Sequence, residues 1–160
     1  MAHEDKPTHL VEYEAMLLGR HSHLFNARKR NATRLLDQSA YLLLSRLQMD
    51  GPMSIGELSA AFGLDASTLN RQTAAMLRAG VVERIPDPEG GIARKFSMTP
   101  EGERRLAADR ASSIRSLETV MADWTAEEVA DFAAHLTRFN HDIERLQGQT
   151  WTRPAPPARS

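Results

Sequence analysis

The sequence predicts a mainly α-helical fold that carries one small β-hairpin. Three observations lead there. Apolar residues recur at helical spacing over most of the chain. Helix-starting residues, namely Asp37, Ser54, Asp65, Thr99 and Thr125, precede most of these segments. A single stretch, "VVERIPDPEGGIARKFSM" at residues 81–98, breaks the helical period with two prolines and two adjacent glycines between short arms.

The elements follow in order. Over residues 7–31, Leu10, Tyr13, Leu17, His21, Leu24 and Phe25 share one helical face. The end of this segment is basic, with Arg20, Arg28, Lys29, Arg30 and Arg34 and no acid between them. Asp37 caps a second helix, "QSAYLLLSRLQMD", which Gly51-Pro52 stops. "SIGE" is a capping box: Ser54 accepts from the Glu57 backbone and the glutamate reaches back. It opens a short helix with Ile55, Leu58 and Phe62 inward, ended by Gly63. Asp65 caps "ASTLNRQTAAMLRA", and Gly80 suits the position just past its end. "VVERI" and "IARKFSM" read as strands around the turn "PDPEGG". Thr99 caps a long charged helix, and Pro100 fits its first position. "TAEE" is a second capping box, opening a last helix with Val129, Phe132, Leu136, Phe139, Ile143 and Leu146 on one stripe. The Pro-rich end, residues 149–160, reads as disordered or loosely docked.

Composition excludes several functions. The chain has 160 residues and a net charge of -1, so any nucleic-acid contact must come from local basic residues. With no cysteine there is no disulfide scaffold, thiolate nucleophile, thiolate metal site or thiol-based oxidant sensor. No stretch approaches the roughly 18 apolar residues of a membrane span, and the N-terminus lacks a signal-peptide pattern, so a cytoplasmic protein is expected. No Ser-His-Asp spacing, Gly-rich phosphate loop, HExxH or carboxylate pair marks an enzyme, and no cofactor is implied. His21 and His23, two apart on a helix, do not face each other, so they make a poor metal site. Met16, Met49, Met53, Met76 and Met98 are most simply fillers of apolar gaps.

"ELSAAFGLDASTLNRQTAAML" is therefore helix, tight Gly-containing turn, helix, the outline of a helix-turn-helix. The hairpin that follows it reads as a wing. The second helix turns Leu69, Thr73, Met76 and Leu77 inward and offers Ser67, Thr68, Asn70, Arg71 and Ala74 outward. Short polar groups, an amide and a guanidinium near a helix start are what base edges require. Asn70 and Arg71 are the expected base contacts, with Ser67 and Thr68 on bases or phosphate. Arg78, Arg94 and Lys95 are expected on the DNA backbone.

From Leu35 to Gly102 the sequence resembles the MarR family of bacterial transcriptional regulators. The resemblance is carried by "LLDQSAYLLLSRL", "MSIGELSAAFGLDASTLNRQTAAMLRAGVVERIPDP" and "RKFSMTPEGERRL". It implies a homodimer on a pseudo-palindromic operator. Residues 1–34 and 100–148 would form a helical dimerisation layer, and residues 35–99 the winged helix-turn-helix. It also implies a repressor released by a small aromatic acid, for which Arg20, His21 and Phe25 on the first helix are candidate contacts. One feature departs from the family. Its wings commonly carry Asp-x-Arg at the tip, whereas here Asp87-Pro88 runs into Glu89, Gly90, Gly91 and Ile92. Weaker or shape-tolerant wing contacts are expected. The alternative is a winged helix that binds a protein instead of DNA. Salt separates the two, because a duplex binder with several phosphate contacts weakens steeply as salt rises.

Overall fold

The computed structural model describes residues 6–22 and 36–155. Among the described residues there are six helices and one hairpin: α1 Thr8–His21, α2 Gln38–Asp50, α3 Ile55–Phe62, α4 Ala66–Arg78, β1 Val82–Ile85, β2 Lys95–Met98, α5 Pro100–Val120 and α6 Ala126–Gln147. The expected caps are present. Asp37 accepts from the Ala40 amide at 2.8 Å. Ser54 with Glu57, and Thr125 with Glu128, close reciprocal capping boxes. Each satisfies backbone donors that the first turn of a helix cannot.

The core lies within α2–α5 and the hairpin. Leu44, Leu58, Leu69 and Leu106 are fully buried, with Leu43, Leu47, Met53, Met76, Val81, Val82 and Phe96 around them. Of the three residues expected inward on α3, Leu58 fills the core, and Ile55 and Phe62 pack on its edge. Met53 extends the small sheet: its amide and carbonyl pair with those of Phe96 at 3.1 and 2.8 Å. Thr99 and Pro100 start α5, and Gly102 lets its first turn pack closely. A Cβ there would collide with the Val81 carbonyl oxygen, so only glycine lets α5 seat against the start of β1.

The returning strand is shorter than "IARKFSM". Pairing stops at Ile85 with Lys95, and residues 92–94 lie outside β2. The next pair would set Arg94 against Pro86, which has no N–H to continue the ladder.

The terminal helices behave differently from the core. Neither α1 nor α6 has a buried residue. Leu10, Tyr13, Phe132, Leu136, Phe139 and Leu146 are exposed, along faces the sequence marks as apolar. Of the two arrangements expected of the C-terminal tail, its described part takes the docked one over residues 149–153: the Trp151 ring meets Phe62 at 5.1 Å between centroids, and Arg153 pairs with Glu144. Phe25, Leu24, the basic residues from 28 to 34 and residues 156–160 lie outside the described residues. Among the described residues no helix is long and apolar enough to cross a membrane.

Candidate nucleic-acid interface

The helix α4 is amphipathic along its whole length. Leu69, Thr73 and Met76 are buried, Leu77 is half-buried, and the Thr73 hydroxyl is satisfied by the Leu69 carbonyl at 2.8 Å. On the opposite side Ser67, Asn70, Arg71, Ala75 and Arg78 are exposed. The structure thus brings Ser67, Asn70 and Arg71 to one outward face near the helix start, with Thr68 half-buried beside them.

Asp65 organises that start. Its carboxylate accepts from the Ser67 hydroxyl at 2.6 Å, the Thr68 amide at 2.7 Å and the Thr68 hydroxyl at 3.0 Å. These bonds, that from Ser67 foremost, hold the Asp65 carboxyl down at about 2. The consequence for Ser67 and Thr68 is chemical. Each hydroxyl has one proton, and here that proton is directed at Asp65. What remains are lone pairs, which accept. Arg71 Nη2 already approaches Thr68 Oγ1 at 3.4 Å. A base amino group suits such an acceptor and a phosphate oxygen does not. Sequence reading identified the cap but not this effect, although "DAST" contained the signal: hydroxyls two and three residues after an N-cap aspartate.

Beside α4 lies an open cleft shared with α2, lined by the polar side chains of Asp37, Ser39, Thr68, Arg71 and Gln72 and by Ala40, Ala75 and Met76. Gln72 Nε2 bridges to Ser39 Oγ at 3.4 Å, which ties the two helices together. Sequence reading missed Gln72, whose partner is 33 residues away.

The wing divides its two expected cations. Arg94 is exposed, with Nη2 at 3.5 Å from the Arg84 carbonyl. Lys95 is turned the other way. Its Nζ lies 3.2 Å from Glu57 and 3.6 Å from Asp87, and only 13% of its side chain is exposed. Contact with Glu57 raises the Lys95 pKa, while the Ser54 amide bond is the largest cause lowering that of Glu57. Lys95 thus fastens the wing to the start of α3 instead of joining the outward set. Asp87 also shapes the turn, accepting from the Glu89 amide on its side chain at 2.9 Å and from Gly90 on its carbonyl at 3.0 Å. Ile92 at the tip is fully exposed. Arg84, which sequence reading did not single out, lays its guanidinium over the ring of the buried Phe96 at 5.5 Å from its centroid.

Of the expected effector contacts, His21 lines an open, mostly apolar groove between α1 and α6 with Leu17, Phe132, His135 and Phe139. Arg20, exposed on the same turn, is not among the lining residues, and Phe25 lies outside the described residues. Among the described residues no group of three His, Asp or Glu side chains could hold a metal ion.

Two capped helices joined at a left-handed Gly63, a third helix packed across them and a hairpin on the following strand define a winged helix-turn-helix protein. The MarR family model matches residues 36–90, which run from α2 into the wing turn. The chain is 35% identical over 135 residues to the HTH-type transcriptional regulator YxaD of Bacillus subtilis, covering 84% of this chain and 93% of that protein. It is similar in fold to a MarR family protein from Bacillus stearothermophilus, with a TM-score of 0.67 at 22% identity over 86% of this chain and 93% of that one. The PcaV transcriptional regulator from Streptomyces coelicolor, solved with its natural ligand, matches with a TM-score of 0.61 at 24% identity over 90% of this chain and all of that one. The chain belongs to the MarR family of DNA-binding transcriptional regulators.

Proposed function

We propose that the chain is a homodimeric repressor that reads a pseudo-palindromic operator with α4 and is released by a small aromatic acid. The observation that carries this reading is the outward face of α4, where Asn70 and Arg71 stand exposed opposite the buried Leu69, Thr73 and Met76. Asn70 pairs with adenine, and Arg71 with guanine or a phosphate. Ser67 and Thr68 accept from base amino groups. Arg78 and Arg94 take backbone phosphates, and the basic residues from 28 to 34 add to them. Lys95 contributes indirectly, by holding the wing. The uncovered apolar faces of α1 and α6 support the dimer, since a second copy would bury them. For the effector, His21 and His135 offer donors on an apolar wall, the chemistry an aromatic carboxylate needs. A cytoplasmic location follows from the same reading.

The test is fluorescence anisotropy of the chain with duplex from its own upstream region across a salt series. Expected is competitor-resistant binding whose logarithm falls steeply and linearly with log salt, by about 0.9 per phosphate neutralised. The same titration then screens aromatic acids for release. Absence of binding to any duplex at low salt would favour a protein partner on the winged helix instead.

A further inference from the structure

The docked tail is not needed by the interface just described, yet over residues 149–153 it is held on two sides. At Gly148, in the left-handed region at φ +66°, the chain turns back from α6. The turn is fastened to α6 by Glu144, which accepts from the Trp151 amide at 3.1 Å and from Arg153 Nη1 at 3.1 Å, while Nη2 of Arg153 pairs with its other oxygen. The other side of the turn grips the helix-turn-helix. Trp151 meets Phe62 of α3 edge-on, the rings inclined by 80°. The Arg46 guanidinium of α2 lies over the same indole at 5.1 Å, and its Nη1 donates to the Thr150 carbonyl at 2.6 Å. The Gln149 side chain covers Gly63 so closely that a Cβ there would collide with it. The tail therefore grips α6 on one side and α2, α3 and the helix-turn-helix corner on the other.

We propose that this strap fixes the orientation of the helix-turn-helix relative to α6, and that Trp151 is a positioning residue for operator binding. The inference rests on the dimeric, DNA-binding reading above. Two copies joined through α1 and α6 present two α4 helices, which must match half-sites about 34 Å apart, one turn of DNA. Moving one half-site by a single base pair displaces it by about 3.4 Å and rotates it around the duplex. A chain whose helix-turn-helix is strapped to its dimer layer rejects that displacement. A chain with the strap loosened follows it.

Three full chains and one truncated chain separate these cases: wild type, Trp151→Ala, Trp151→Phe and a chain stopped after Gly148. Each is titrated by anisotropy on a duplex that the wild type selects from a random pool, and on the same duplex with one base pair inserted between the half-sites. Wild type and Trp151→Phe should prefer the original spacing by about tenfold or more, while the other two discriminate by about threefold or less. Thermal melts confirm that all four fold. Unchanged discrimination in Trp151→Ala overturns the proposal, and so does an equal loss of affinity on both duplexes, which marks a merely stabilising tail. Failure of the wild type on every duplex is different: it sinks the DNA-binding reading itself, and the strap's role with it. In a Trp124→Phe background Trp151 is the sole tryptophan, so its emission reads docking without DNA. An indole quenched by iodide as freely as the free amino acid overturns the proposal as well.

Discussion

The winged helix-turn-helix and the terminal helices use the same sequence device to different ends. In both, apolar residues repeat along one helical face. In α2–α5 those faces meet, and Leu44, Leu58, Leu69 and Leu106 lose all contact with solvent. On α1 and α6 they meet nothing comparable, and Phe139 remains 52% exposed. An amphipathic pattern states that a face needs cover, and not what supplies it. The first region is complete within one chain. The second, under the proposed dimer, is completed by another copy.

Substitutions can break this contrast, beginning with the largest effect. Leu58→Ala and Leu69→Ala should each cost about 2–5 kcal/mol in urea unfolding, because a closed core cannot collapse onto the cavity. Phe139→Glu should leave the melting of the winged helix in place and shift the sedimenting species to a monomer. A wild-type-like dimer in that variant would remove α6 from the interface. Gly102→Ala should cost about 1–3 kcal/mol, since either α5 or the Val81 carbonyl must move. On DNA, Asn70→Ala should lose about 1–3 kcal/mol of affinity and relax preference at one base pair, whereas Arg94→Ala should weaken all sequences alike and lower the salt slope by about one. An Asn70→Ala chain with unchanged base preference would exclude Asn70 from readout. Thr99→Ala should cost about 1 kcal/mol, because that hydroxyl both caps α5 at the Gly102 amide and donates to the Gly80 carbonyl at 2.6 Å.

The smallest effect is an acid titration. The Asp65 carboxyl is depressed from 3.8 to about 2, so its stabilising contribution is complete above the ordinary carboxylate value and is lost only as the pH falls toward about 2. The α4 start should therefore show no titration at neutral pH. A chemical-shift change at the Thr68 amide near pH 5 would contradict that assignment.

Local features of the fold were legible in the sequence, and long-range ones were not. The N-caps Asp37, Ser54, Asp65, Thr99 and Thr125 were legible because a cap is a bond across three residues. The inward stripe of α4 was legible because its period is its own. Lys95 was not, because the partner that turns it inward, Glu57, lies 38 residues earlier. Nor were the partners of the docked tail, since "QTWTRPAPPARS" gives no sign that its indole meets Phe62 and Arg46. The end of β2 was not legible either, because the pairing opposite Pro86 depends on register, which composition does not contain. At the candidate interface, residue types on α4 indicated the face, and the Asp65 bonds then left both of its hydroxyls as acceptors.

The measurement that bears most directly on the contrast is native-state hydrogen exchange of the wild type and Phe139→Glu, resolved by element. Expected is protection in α2, α3 and α4 that is the same in both chains, with protection in α1 and α6 that is high in the wild type and lost in the variant. Equal protection of α6 in a variant that sediments as a monomer would contradict it, because the terminal layer would then be stable without a second copy.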